Sequence, residues 1–347
     1  MRIVRWPVII RTLTLGVWVV PAAHATTSKP ASSDGCFGAK PEIFLKAQPR
    51  ARDLRVYGNK LYWAAGGELR SANPGTGRVT VVGGGVQDVR AMDDRSVVSV
   101  AANNRLWILD RSTKKARVLV DGFDEMENQF VTSSFGLLGG YVYFGRTAPD
   151  FRADDGGLFR VAIAGNQPPE RLAAAPNANA PFVVAGGAVV WLEAEAEGFV
   201  MHRRAVGARP GADDEKTPLR GSRSLGSGDD TEVRLLRLAG DQLWFAAANG
   251  IWSAPLDGRG PARERVPAAW DAVADDLDQL TTLVAHGACV YWATMHAIKR
   301  ARVDNAAARP VETLAAEEEF WEASLATDGR YLYWSSRDGQ ILRSGPK

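Results

Sequence analysis

Short runs of alternating apolar and polar residues, each bounded by glycine or a turn pair, recur along the chain. The clearest set stands near the C-terminus. Leu325-Ala326-Thr327 reads as a strand, Asp328-Gly329 as a turn, Arg330-Tyr331-Leu332-Tyr333-Trp334 as a second strand, and Gln340-Ile341-Leu342-Arg343 as a third. The second strand has six upstream counterparts. These are Asn59-Lys60-Leu61-Tyr62-Trp63, Arg95-Ser96-Val97-Val98-Ser99, Gly140-Tyr141-Val142-Tyr143-Phe144, Gly187-Ala188-Val189-Val190-Trp191, Asp241-Gln242-Leu243-Trp244-Phe245 and Ala288-Cys289-Val290-Tyr291-Trp292. An aromatic residue closes six of the seven copies, as expected of side chains that pack between neighbouring sheets.

The central aliphatic residues of these copies fall at 61, 97, 142, 189, 243, 290 and 332, with a mean interval near 45 residues. That is the length of a four-stranded propeller blade. A third strand follows each copy, in which aliphatic residues alternate with polar or basic ones, the mark of one buried face. Fourth strands are visible at 78–82, 116–120, 170–172 and 311–314, whereas none stands out in the fourth and fifth copies. Gly207 to Thr231, rich in glycine, serine, proline and charge, reads as an insertion loop. The last copy ends at Lys347 without a fourth strand, while Pro41-Glu42-Ile43-Phe44-Leu45 matches Pro310-Val311-Glu312-Thr313-Leu314 and precedes the first copy. The expected fold is therefore all-β: a seven-bladed β-propeller over residues 41–347, its ring closed by residues 41–46 completing the last blade. The blades fall near 50–84, 85–122, 130–175, 180–220, 232–268, 279–316, and 322–347 with 41–46.

The pattern xDGxxLYWxx…GxIxR, carried by Asp328-Gly329, Leu332-Tyr333-Trp334, Gly339, Ile341 and Arg343, resembles secreted bacterial β-propellers with low-density-lipoprotein-receptor-like YWTD repeats. The resemblance covers nearly all of the chain after the first 25 residues, and it implies a six- or seven-bladed ring used chiefly for binding. Tyr291-Trp292-Ala293-Thr294 comes nearest to the tetrad, which no blade carries in full.

The first 25 residues follow a different pattern. Arg2, Arg5 and Arg11 precede an apolar run from Leu13 to Val20, then Pro21 and the small-residue site Ala23-His24-Ala25. This describes a secretory signal peptide, and the run is too short to span about 30 Å of hydrocarbon, so no transmembrane anchor is expected in the mature chain. Residues 26–40 form a lead-in, and the expected address is periplasmic or extracellular. Removing the peptide changes the charge: 39 basic residues then face 40 acidic ones, and no basic stripe is left for nucleic acid. Cys36 and Cys289 are the two cysteines, expected in adjacent blades on one face, where either a disulfide or two free thiols would fit.

Candidate chemistry lies where the repeat is interrupted. Trp270 and Trp321 fall outside the repeated strands, in connections that lead into innermost strands on either side of the sixth blade. Asp271 and Glu322 lie beside them, and His296 and Arg337 occupy second-to-third-strand turns on the same face. Exposed aromatics beside carboxylates suit a sugar or a cationic group, although rings that plug blade tops would give the same sequence. No G-x-S-x-G, H-E-x-x-H, P-loop or calcium-loop pattern occurs, so no metal or cofactor is expected. The sequence thus points to an exported, non-catalytic binding module for a protein, peptide or glycan. The alternative is a lyase or hydrolase acting in the central tunnel, recognisable by acids and a histidine converging on the axis.

Overall fold

The computed structural model describes residues 36–38, 40–48, 50–100, 105–121, 134–146, 157–165, 167–173, 181–195, 198–209, 212–221, 233–247, 250–267, 280–304, 311–316 and 324–346. They form strands and turns with no helix. Blade 1 comprises β2 (Arg52–Tyr57), β3 (Lys60–Ala65), β4 (Glu68–Ala72) and β5 (Val79–Gly84). Blade 2 comprises β6 (Ala91–Met92), β7 (Ser96–Val100), β8 (Leu106–Asp110) and β9 (Lys115–Val120). Blade 3 holds β10 (Phe135–Leu138), β11 (Tyr141–Arg146), β12 (Gly157–Ala162) and β13 (Glu170–Ala173). Blade 4 holds β14 (Phe182–Ala185), β15 (Ala188–Glu195), β16 (Gly198–Ala205) and β17 (Glu215–Pro218). Blade 5 follows with β18 (Leu235–Ala239), β19 (Gln242–Ala247), β20 (Gly250–Pro255) and β21 (Arg263–Pro267). Blade 6 has β22 (Thr282–His286), β23 (Cys289–Ala293), β24 (Ala297–Arg302) and β25 (Glu312–Ala316). Blade 7 has β26 (Leu325–Thr327), β27 (Leu332–Ser335) and β28 (Ile341–Ser344), joined by β1 (Glu42–Leu45).

Each blade is a four-stranded antiparallel meander, and in blade 7 the order is β1-β28-β27-β26, so the N-terminal strand is the outermost. Innermost strands touch in the order β6, β10, β14, β18, β22, β26, β2, which places them around a common axis. Tight turns join first to second strands: Gly139 and Gly140 both take positive φ, 61° and 80°, as a two-residue hairpin twisted to match its strands requires.

The structure corrects the sequence reading of residues 207–231. Glu215–Pro218 within that stretch is the fourth strand of blade 4, paired in register with Val200–Arg203, and Arg263–Pro267 is the fourth strand of blade 5. Both escape a hydrophobic pattern because outermost strands present one face to water, and β17 reads Glu-Lys-Thr-Pro.

The closing strand is tied at several points. Glu42 pairs with Arg343 across β1 and β28, and their side chains form an ion pair at 2.6 Å. Upstream, Phe37 bridges Pro346, the Phe37 amide donates to the Tyr291 hydroxyl at 2.6 Å, and Cys36 is bonded to Cys289. The ring is thus fastened by residues 36–38 as well as by β1.

Two layers of side chains lie between the blades. On one face of the second strands sit Trp63, Phe144, Phe245, Trp292 and Trp334, each at most 1% exposed. On the other face a triplet recurs across strands two, three and four: Tyr143-Arg160-Glu170, Tyr291-Arg300-Glu312 and Tyr333-Arg343-Glu42. Each arginine pairs with its glutamate. The basic position of the third strand is therefore an internal one in blades 3 and 6, where Arg160 and Arg300 are buried. A guanidinium can be buried there because the carboxylate on the outermost strand neutralises it.

Candidate functional site

The channel at the axis contains a cavity of about 230 Å³. Five blades contribute to its wall: Arg52, Asp53, Leu54 and Arg55 from blade 1, Asp88 and Arg90 from blade 2, Arg237 from blade 5, Thr281 and Thr282 from blade 6, and Ser324 and Leu325 from blade 7. Apart from Arg237 at mid-strand, these residues stand at the beginnings of the innermost strands. The cavity therefore sits toward the face onto which the blade-to-blade connections and the second-to-third-strand turns open, here termed the loop face.

Local backbone geometry presents the charged groups. Pairing of β2 with β3 shifts register between Arg52 and Arg55, and Asp53 within that bulge has φ of 54°. Aspartate tolerates this left-handed conformation better than most residues, and bulges re-aim side chains in this way. The Leu54 amide donates to Ser324 Oγ at 2.7 Å, fastening the bulge to blade 7. In blade 2, Asp88 accepts the Val100 amide at 2.7 Å and pairs with Arg90 Nε at 2.7 Å, while the Arg90 guanidinium lies over the Phe135 ring. Arg55 donates to the carbonyls of Val89 and Arg90 at 3.4 and 3.3 Å, linking blades 1 and 2. Arg237 donates to the Leu236 carbonyl at 3.0 Å.

Among the described lining residues are four arginines and two aspartates. Burial pushes the Asp53 carboxyl above its usual range and Asp88 adds to this, against the opposing pull of Arg90, Arg55 and Arg52. Burial also lowers the Arg55 guanidinium, with Asp53 acting against it. Arg237 is pushed down to about 9 by burial and then by the positive charge of Arg55. Among the described residues no carboxylate offsets that shift.

Of the residues singled out from sequence, His296 and Arg337 are described. Both are exposed, in the β23–β24 and β27–β28 turns of adjacent blades on the loop face, and neither lines the cavity. The His296 turn is held by Thr294 Oγ1, which accepts the His296 and Ala297 amides, and the Ala293 carbonyl before it accepts the Thr281 amide at the cavity wall. Trp270, Asp271, Trp321 and Glu322 lie outside the described residues. The channel arginines were missed by sequence reasoning, although a signal existed. Arg52-Asp53-Leu54-Arg55 and Gln87-Asp88-Val89-Arg90 repeat an Asp-aliphatic-Arg triplet at the start of two innermost strands, and blade 5 carries Arg237 in its own.

No protein-family model matches the chain, and no curated protein matches it in sequence. Solved structures do share the fold. One is PorZ, an essential bacterial surface component of the type-IX secretion system of Porphyromonas gingivalis, at 13% identity and a TM-score of 0.50 over 88% of this chain and 39% of that one. Another is the extracellular domain of a putative one-component system from B. thetaiotaomicron, at 9% identity and 0.53 over 88% and 40%. A third is a chain of the mitotic checkpoint complex, at 11% identity and 0.51 over 99% of each. The chain thus spans about two-fifths of the first two. At these identities the likeness establishes the seven-bladed ring and nothing finer.

Proposed function

We propose that this chain is an exported interaction module, a closed seven-bladed ring that receives a protein, peptide or glycan on its loop face. The observation that supports this most directly is the cavity's position: it lies toward that face and draws on five of the seven blades, so whatever docks there is held by several blades at once. His296 and Arg337 add polar side chains on the same face, and Trp270, Asp271, Trp321 and Glu322 belong to the segments entering β22 and β26. Export rests on the basic, apolar and Ala-x-Ala pattern of the first 25 residues.

A second reading, hydrolysis or elimination inside the channel, has one observation in its favour. Asp53 combines a raised pKa with a left-handed backbone beside a second carboxylate, Asp88, features that gather at catalytic acids. Among the described lining residues there is no histidine, and arginines outnumber acids, a set better suited to holding an anion than to shuttling protons.

Binding of the purified protein to peptide and glycan arrays tests the first reading. Trp270→Ala combined with Trp321→Ala is expected to weaken retention at least tenfold with a melting temperature close to that of the parent. Should that variant lose its fold, His296→Ala with Arg337→Glu provides the same test from exposed turns. Undiminished retention in a folded variant, or a parent protein that retains nothing from either array, overturns the proposal.

A further inference from the structure

We infer that β5, the outermost strand of blade 1, is the seam of a homodimer, in which it pairs antiparallel with β5 of a second copy of this chain. The inference concerns the rim of the ring and does not depend on the loop face being a binding face.

The outermost strand of a sheet turns a row of backbone N–H and C=O groups outward, a template for any other extended chain, and proteins blunt such edges with charged side chains. Six of the seven outermost strands here are charged: Glu42 stands in β1, Lys115 in β9, Glu170 in β13, Glu215 in β17, Glu264 in β21 and Glu312 in β25. By contrast β5, which ends the sheet of blade 1, reads Val-Thr-Val-Val-Gly-Gly and carries no charge. It opens with four β-branched residues in succession, which none of the other six has and which suit a paired, extended backbone. Exposure agrees with this. Of the four large apolar side chains exposed among the described residues, two are Val79 at 37% and Val81 at 47%.

The strand's own pattern selects a second copy as the occupant. Val79, Thr80 and Val81 pair in regular register with Ala72, Ser71 and Arg70, and the ladder shifts only beyond Val81, so residues 79–81 form a regular edge. Set antiparallel to itself about Thr80, this edge brings Thr80 opposite Thr80 and each Val79 opposite the other copy's Val81. Residues directly opposite one another lie on the same face of a sheet, so the four valines cover each other and the two threonines meet as a cross-strand pair. Arg78 then falls opposite Val82, and no charge meets its like. Each of the other six outermost strands, paired with itself, would carry charged side chains into the seam. A two-fold contact of this kind joins two four-stranded blades into one sheet and uses up both β5 edges, so association stops at two copies. The paired stretch is short, and small interfaces belong to complexes that dissociate on dilution.

Sedimentation velocity of the purified protein over a dilution series tests this, and a monomer–dimer equilibrium is expected. Thr80→Lys sets two lysines face to face in the seam and should weaken association at least tenfold, and Thr80→Glu should do the same with two carboxylates. Mixing the two variants should restore dimers of one copy each, because opposite charges then meet at the centre of the pairing. Val81→Lys places a charge on an exposed position of the same edge and gives the test if the Thr80 variants do not fold; at least tenfold weaker association supports the seam, and unchanged association overturns it. A synthetic peptide of residues 77–84 should compete with the dimer. The inference fails if the parent stays monomeric at every concentration, if species larger than a dimer accumulate, if Thr80→Lys associates as the parent does, or if the mixed variants remain apart. It fails equally if a monomeric parent binds the peptide, since β5 is then an edge for a strand of another protein.

Discussion

Asp53 shows how much one residue can hold against its own preferences. Its backbone is left-handed, and its carboxyl is costly to ionise where it stands. Because the folded state binds the Asp53 proton more tightly than the unfolded chain, stability falls as pH rises from 3.8 through the raised folded value, and the cost is fully present above that value. Asparagine keeps the left-handed conformation and removes the charge. Asp53→Asn is therefore expected to melt higher than the parent at pH 7, with the advantage shrinking as pH falls through the folded pKa and gone below 3.8. Asp53→Ala loses the charge but gains backbone strain, so it should be less stable than Asp53→Asn by about 1 kcal/mol. Thermal melts of the three proteins across pH 4–8 measure both effects. Asp53 could not be read as special from sequence, since an aspartate at the start of a strand looks like a turn residue. What singles it out is the bulge that carries it toward the axis, and a bulge follows from the pairing of two strands rather than from the composition of one.

Strands were legible to different degrees for a physical reason. Second strands carry aromatic and branched residues buried on both faces, so their pattern survives even in blade 2, where Ser96-Val97-Val98-Ser99 has no aromatic side chain. Outermost strands such as Glu215–Pro218 are half solvated, and their sequences need little hydrophobicity to pair. Third strands announced their position but misstated their environment in three blades: Arg160, Arg300 and Arg343 read as solvated charges until the glutamates across from them are known. Arg300 gives the sharpest test of that device. It is 2% exposed and donates to the Phe37 carbonyl as well as to Glu312. Arg300→Met should cost about 2–3 kcal/mol, because charged hydrogen bonds to two acceptors are lost. Arg343 occupies the matching place in blade 7 with a side chain 21% exposed, and Arg343→Met should cost about 1 kcal/mol or less. Urea midpoints of the two variants measure the ranking, and a reversed order would mean that the buried triplet is not what holds blade 6 to the lead-in.

At the scale of the molecule, the N-terminal segment turns an open array of sheets into a ring. Without β1 the outermost edge of blade 7 would be β28 and the contact of Arg343 with Glu42 would be missing, and without the residues before it so would that of Tyr291 with Phe37. Closure was foreseeable from the matching of residues 41–45 to 310–314, and a Cys36–Cys289 bond was one of two readings of the cysteines, whereas the part played by Phe37 was not legible, because it stacks on His286 and bridges Pro346 through contacts that no repeat encodes. The Cys36–Cys289 bond joins residues 253 apart, so reduction restores freedom to nearly the whole unfolded chain while breaking no blade. Cross-links of long loops stabilise chiefly through that lost freedom, by about 2–4 kcal/mol in typical proteins. The parent protein should therefore lose about this much stability when guanidinium unfolding is repeated with reductant, and Cys36→Ser combined with Cys289→Ser should match the reduced parent and ignore reductant altogether. A folded, cooperative double variant that is merely less stable would show that β1 closes the ring by pairing and that the disulfide only tightens it. If the oxidised parent and the double variant unfold at the same midpoint, the disulfide adds nothing, and the pairing of β1 together with the contacts of Phe37 carries the closure.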